Sequence, residues 1–230
     1  SDNDYGMPPE AEQTGIGSLQ TNDARVLGSY IEDNTIHFVG NTRSMLSNKA
    51  TIYHGIISNP DNASSLELYE LNDPLYEFGY SNIAYTGQSG SDQAIIVMNH
   101  SADTINPGIS AVYYENGEYS PVTLIKEGET FAIPFGVNRW GDYTGIQRIY
   151  NNPDFVWISG FYGRRRTPSN PLDFQRNVND TWVSLLSNPG ATSIKEPFDL
   201  ESKLYPNPAS ETVTLEFVLE ESDYFRSVIY

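Results

Sequence analysis

The sequence predicts an all-β protein built from repeated four-stranded antiparallel units. Three observations carry that prediction. Short alternations of apolar and polar residues are bounded by Gly, Asn, Asp and Pro, the same series of alternations recurs about every sixty residues, and the composition combines 16 Tyr and 18 Gly with only 19% charged residues.

The first unit reads as strands at 26–30, 35–39, 50–57 and 66–71, with a turn at Asp33-Asn34. The second places strands at 82–85, 94–99, 110–115 and 122–126, with a turn through Gly90-Ser91-Asp92. The third gives 145–150, a turn at Asn152-Pro153, then 155–159 and 181–186. Val26, Ile83 and Ile146 occupy equivalent places. Asn116-Gly117, between alternating segments, is the strongest hairpin signal, because a type I′ turn needs positive φ at both central positions. Phe78-Gly79-Tyr80-Ser81 and Trp140-Gly141-Asp142-Tyr143 lead into the second and third units alike. A glycine beside an aromatic lets one sheet approach the next while the ring fills the gap.

Repeated four-stranded sheets that bury their faces against neighbours predict a β-propeller. Residues 1–20 read as a lead-in loop and 21–187 as three blades, at about 21–75, 76–138 and 139–187. Closure takes at least about four blades, so these are expected to be the last three of a larger ring, with upstream chain supplying the third blade's final strand. A pair of β-sandwiches is the rival architecture, although it leaves the common unit unexplained.

Thirty acids against 13 bases give a formal charge of −17, which disfavours nucleic acid and anionic membrane surfaces as partners. Without cysteine there is no disulfide, thiolate metal site or cysteine nucleophile. The longest apolar run, Ala94-Ile95-Ile96-Val97-Met98, is far short of the ~20 residues that a membrane helix needs, so no membrane insertion is expected. Neither an initiating Met nor a charged-then-apolar leader opens the sequence, so any signal peptide is expected upstream. Asp2-Asn3-Asp4-Tyr5-Gly6 begins like a calcium loop but lacks the later ligands and reads as a solvated terminus. No metal or cofactor is expected.

After a linker at 188–202, Lys203-Leu204-Tyr205-Pro206-Asn207-Pro208-Ala209-Ser210 forms a stiff connector, since two prolines remove donors and hold Tyr205 and Asn207 extended. From Thr212 the alternation Val213-Thr214-Leu215-Glu216-Phe217 starts a half-buried strand. This stretch resembles the entry of the C-terminal sorting domain of proteins exported by the type IX secretion system, a small β-sandwich. The resemblance covers 203–230 and implies the export machinery as a partner, with a secreted or cell-surface location. The sequence stops inside what should be the second strand, so the sorting domain is expected to be truncated and the chain to be a piece of a longer protein.

Arg139-Trp140-Gly141-Asp142-Tyr143-Thr144-Gly145 resembles a segment near the end of many secreted bacterial propeller proteins, some of them sialidase-like. The likeness extends through Asn22-Asp23-Ala24-Arg25-Val26-Leu27-Gly28 and most of residues 20–186. The strand nearest a propeller's axis begins beside the central channel, which makes Asp23, Arg25, Trp140, Asp142 and Tyr143 candidate ligand-binding residues. The competing reading has Asp142 capping a turn while Trp140 and Tyr143 pack between blades. Arg164-Arg165-Arg166 is the one basic cluster, placed in an insertion at 163–179, and is a candidate for an anionic glycan or a solvated loop paired with nearby acids. Asp103-Thr104-Ile105 resembles a short bacterial O-glycosylation signal.

No catalytic constellation emerges. Ser89-Gly90-Ser91-Asp92-Gln93 lacks the Gly and Trp of the sialidase-type Asp box, and no Gly-x-Ser-x-Gly elbow occurs. His37, His54 and His100 each stand alone in sequence and read as structural. The expectation is a secreted or surface binding and adhesion protein for a polysaccharide or a surface protein. The alternative is the non-catalytic remainder of an exported glycoside hydrolase or other hydrolase, whose paired carboxylates or nucleophile lie elsewhere.

Overall fold

The computed structural model describes residues 7–15, 17–62, 65–87, 90–132, 140, 144–167, 177–189, 202–205 and 214–217. They form an all-β structure of several antiparallel sheets, in two compact units, Ser1–Gly190 and Ala191–Tyr230.

In the first unit, β1 (Ala11–Glu12) pairs with β2 (Ser18–Leu19). The first large sheet runs in the order β3 (Val26–Glu32), β4 (Thr35–Arg43), β5 (Ala50–Ser58) and β6 (Ser65–Leu71). The second runs β7 (Glu77–Tyr85), β8 (Gln93–Ala102) and β9 (Ile105–Glu115), and both β10 (Glu118–Tyr119) and β11 (Thr123–Lys126) pair with β9. The third is β12 (Gly145–Arg148), β13 (Phe155–Arg165) and β14 (Asn177–Ser187). The β9–β10 turn has Asn116 at φ 49° and Gly117 at φ 87°, as the Asn-Gly pair predicts.

The three sheets stack face to face. Val39, Ile52, Phe78, Ile96, Met98 and Val112 share a core between the first and second sheets. Ile95, Val97, Ile109, Ala111, Val156 and Ile158 share another between the second and third. Successive residues of β8 thus point into different cores, which is why the run from Ala94 to Met98 is continuously apolar rather than alternating. The outer faces are also apolar in part: Ile31, Leu66 and Leu68 lie exposed on the first sheet, Trp157 and Val183 on the third. No closed barrel or ring forms among the described residues.

Several local expectations change. The lead-in at 7–20 is a packed hairpin, because its few apolar residues, Ala11 and Leu19, bury against Tyr80 and Trp140. Gln13 binds the backbone of Ala132 in both directions, at 3.0 Å from its amide nitrogen and 2.9 Å to its amide oxygen. Arg164 and Arg165 are the last residues of β13, not a loop, since Arg164 pairs with Val178 and Arg165 with Asn177 in register. In the second unit, β15 (Ser202–Tyr205) pairs with β16 (Thr214–Phe217), so the first half of the proline-rich stretch is a strand. Asp2-Asn3-Asp4-Tyr5-Gly6, Pro206, Asn207 and Pro208 lie outside the described residues.

Double-sided burial predicts that Ile95→Ala and Ile96→Ala, neighbours on opposite faces, each cost about 2–5 kcal/mol. In a sheet with one wet face only one of them would be costly. Denaturant unfolding of the two variants distinguishes the cases.

Candidate functional site

A polar recess opens where the first sheet's far end meets the β7–β8 loop and the β9–β10 turn. It is a cavity of about 370 Å³ whose lining includes Tyr30, His37, Glu67, Tyr69, Asp92 and Tyr114. The strand register builds it. Tyr30 opposes His37 across β3 and β4, and their rings stack at 4.8 Å and 4°. Tyr69 opposes His54 across β5 and β6. The turn at Asp33-Asn34, with φ 43° and 57°, brings Asp33 to the rim, where its carboxylate accepts the Gly90 N–H at 2.7 Å. The Asn116 N–H binds the Asp92 carbonyl at 2.9 Å and ties the loop to the neighbouring turn.

A chain of polar contacts, two of them hydrogen bonds, runs inward from the cavity. Asp92 Oδ1 lies 3.3 Å from His37 Nε2, His37 Nδ1 lies 3.0 Å from His54 Nε2, and His54 Nδ1 lies 2.7 Å from the Tyr119 hydroxyl. The Tyr114 hydroxyl donates to Asp92 Oδ2 at 2.8 Å. With both imidazoles neutral, one tautomer assignment satisfies both hydrogen bonds: Tyr119 donates to His54 and His54 to His37, which leaves the His37 Nε2 3.3 Å from Asp92 Oδ1. Burial lowers the basicity of His37, against a smaller opposing pull from Asp92. Burial, then the neighbouring His37, pushes His54 down to about 3. Burial likewise raises the Tyr30, Tyr114 and Tyr119 hydroxyls, with Asp92 contributing to each. The Tyr114 hydroxyl thus holds the Asp92 carboxylate at the cavity wall, with the neutral His37 ring beside it.

His37 and His54 do not stand alone, contrary to the sequence expectation. The signal was present in register: positions 37, 39 and 41 of β4 and 50, 52, 54 and 56 of β5 all face the second sheet, which places the two rings in one layer. Asp92 was passed over because its surroundings fail the Asp-box pattern, which says nothing of where the loop carries it.

The candidates named from sequence that fall among the described residues lie elsewhere. Asp23 accepts from Arg25 Nε at 2.7 Å, and that bond lowers its pKa. Arg25 borders a separate cavity of about 180 Å³ with Tyr80, Ser81, Asn82 and Thr144. Trp140 is fully buried in the cluster with Ala11, Leu19 and Tyr80, while Asp142 and Tyr143 lie outside the described residues. Arg164 binds Asp180 at 2.5 Å, the Arg165 backbone N–H binds Glu129, and Arg166 is half-buried. Tyr205 sits in β15. Asp103 and Thr104 occupy the exposed β8–β9 turn. Among the described residues, no group of three or more His, Asp or Glu is arranged to hold a metal ion.

The histidines make stability depend on acid in a defined window. His100, beside Tyr76 and bonded to the Ser110 hydroxyl at 2.7 Å, is held by burial at about 4. Each lowered His adds stability that is complete above the unfolded value of ~6.5 and fades as pH falls toward its folded value. Unfolding free energy should therefore drop between pH 6.5 and 5 by up to about 1.4 kcal/mol per pH unit for each buried His. His100→Gln should make the slope shallower in urea titrations; an unchanged slope contradicts the assignment. No family model, curated protein or solved structure matches the chain.

Proposed function

We propose that residues 21–187 are successive blades of a β-propeller, closed by further blades, that binds carbohydrate at the cell surface after type IX export directed by the tail at 203–230. The observation that carries the binding part is the cavity braced by Asp92, His37, His54 and Tyr119. Its volume falls within the range of small-ligand sites. Tyrosine rings offer faces for a sugar ring to stack on, and fixed carboxylates accept hydrogen bonds from hydroxyls. The propeller part is supported by the stacking of three antiparallel sheets and by apolar side chains on both outer faces, which is what blades between further blades present.

The test is a glycan array with the intact protein, followed by calorimetry. Tyr69→Ala and Asp92→Ala should each weaken the captured saccharide at least about tenfold, or ~1.4 kcal/mol. Undiminished binding in both folded variants removes the cavity from the account, and turnover of the saccharide at enzymatic rates replaces binding with hydrolysis.

A further inference from the structure

Resting on that carbohydrate reading, we propose that the cavity selects a saccharide bearing a free amino group, that is, an unacetylated hexosamine unit. Glu32, Asp33, Glu67 and Asp92 all line it, and no lysine or arginine is among its lining residues. Tyr30, Tyr69, Tyr85 and Tyr114 also line it, the Tyr85 ring carrying Arg148 on one face and the Tyr30 ring stacking on His37.

A donor and acceptor census makes the case. The Tyr114 hydroxyl is committed to Asp92, and the Tyr69 hydroxyl donates to Glu67. The Gly90 N–H is taken by Asp33, and the two histidines are occupied by their relay. The Tyr30 hydroxyl is withdrawn from solvent and has no partner among the described residues. Each carboxylate oxygen offers more acceptor sites than these bonds use. Four carboxylates and no described lysine or arginine line the recess beside several hydroxyls, so a ligand that brings donors and positive charge complements it.

An ammonium group supplies three donors and one charge, and a cation against tyrosine faces gains further attraction. N-acetylation removes the charge and two of the donors, leaving carboxylates desolvated without partners. A uronate or other acidic sugar would meet four carboxyl groups of its own sign. Asp92 is the natural anchor, because the Tyr114 hydroxyl donates to it and the His37 ring lies beside it while its side chain remains 42% exposed.

The test compares binding of the intact protein to a β-1,4-linked glucosamine oligomer, its fully N-acetylated counterpart and a neutral glucose oligomer, in about 0.15 M salt to screen long-range attraction. The glucosamine oligomer should bind at least tenfold more tightly than either. Glu67→Gln and Asp92→Asn should narrow that gap, whereas Glu127→Gln, outside the cavity, should leave it. If the acetylated or neutral oligomer binds as tightly, amine selection fails and the carbohydrate reading stands. If Glu127→Gln narrows the gap equally, the preference is overall charge and the inference fails. If no saccharide binds here or on the array, both fall.

Discussion

The burial of the second sheet on both faces is the constraint on which the rest of the first unit depends. A sheet in that position has no face turned to water, so any polar group on it must find a partner inside the protein. The chain meets this demand in part with side chains that bond to the backbone of the neighbouring sheet, although Ser81 Oγ on β7 and Asn99 Nδ2 on β8 have no partner among the described residues. Asn41 on β4 accepts the Tyr80 N–H at 2.8 Å, and Asn99 on β8 accepts the Phe161 N–H at 3.1 Å. Both asparagines lie on the second strand of their sheets, so one clasp is repeated at each joint. A clasp of this kind fixes how one sheet slides over the next, which apolar contacts alone leave loosely specified.

The same demand explains why the histidine relay exists. His37 and His54 occupy inward positions where Val39 and Ile52 are simply apolar, and two isolated imidazoles there would be costly. Joined to each other, to Tyr119 and to Asp92, they span the joint from the second sheet's edge to the cavity wall. The Tyr114 hydrogen bond, with the His37 ring beside it, restrains a carboxylate that is otherwise carried on a loop. Preorganisation of this type lowers the entropy lost on binding.

The strand order of the three units was legible in the sequence because alternation and turn chemistry agree at nearly every joint, most clearly at Asn116-Gly117. What was not legible depends on distance in space. Asp92 and His37 are far apart in sequence, and only the stacking of the first two sheets brings them within 3.3 Å. Arg164 and Arg165 were read as loop because a run of charges has no alternation, yet β13 and β14 continue pairing through them. Ala11 and Leu19 were too few to register as a packed segment, but each is completely buried.

The two ends of the sheets carry different tasks, and this decides where a ligand can sit. At the start of β3 and β7, Trp140 packs edge-on to Tyr80 at 6.4 Å and 90°, and the hairpin of β1 and β2 covers them. Tyr80 is held at φ 55°, an unusual state for a bulky residue, with its N–H bound by Asn41 and its carbonyl by the Thr144 hydroxyl at 2.5 Å. Gly79 leaves room for the Trp140 ring, which a Cβ would approach to 3.2 Å. The aromatic and glycine pairs that stand out in the sequence thus serve to lock this end. At the opposite end the turns at Asp33-Asn34 and Asn116-Gly117 and the loop carrying Asp92 are tied only by a few hydrogen bonds, and the sheets part to leave the cavity. A sequence motif made conspicuous by tight packing marks the closed end. The residues that line the recess are ordinary tyrosines and acids, conspicuous only once folded.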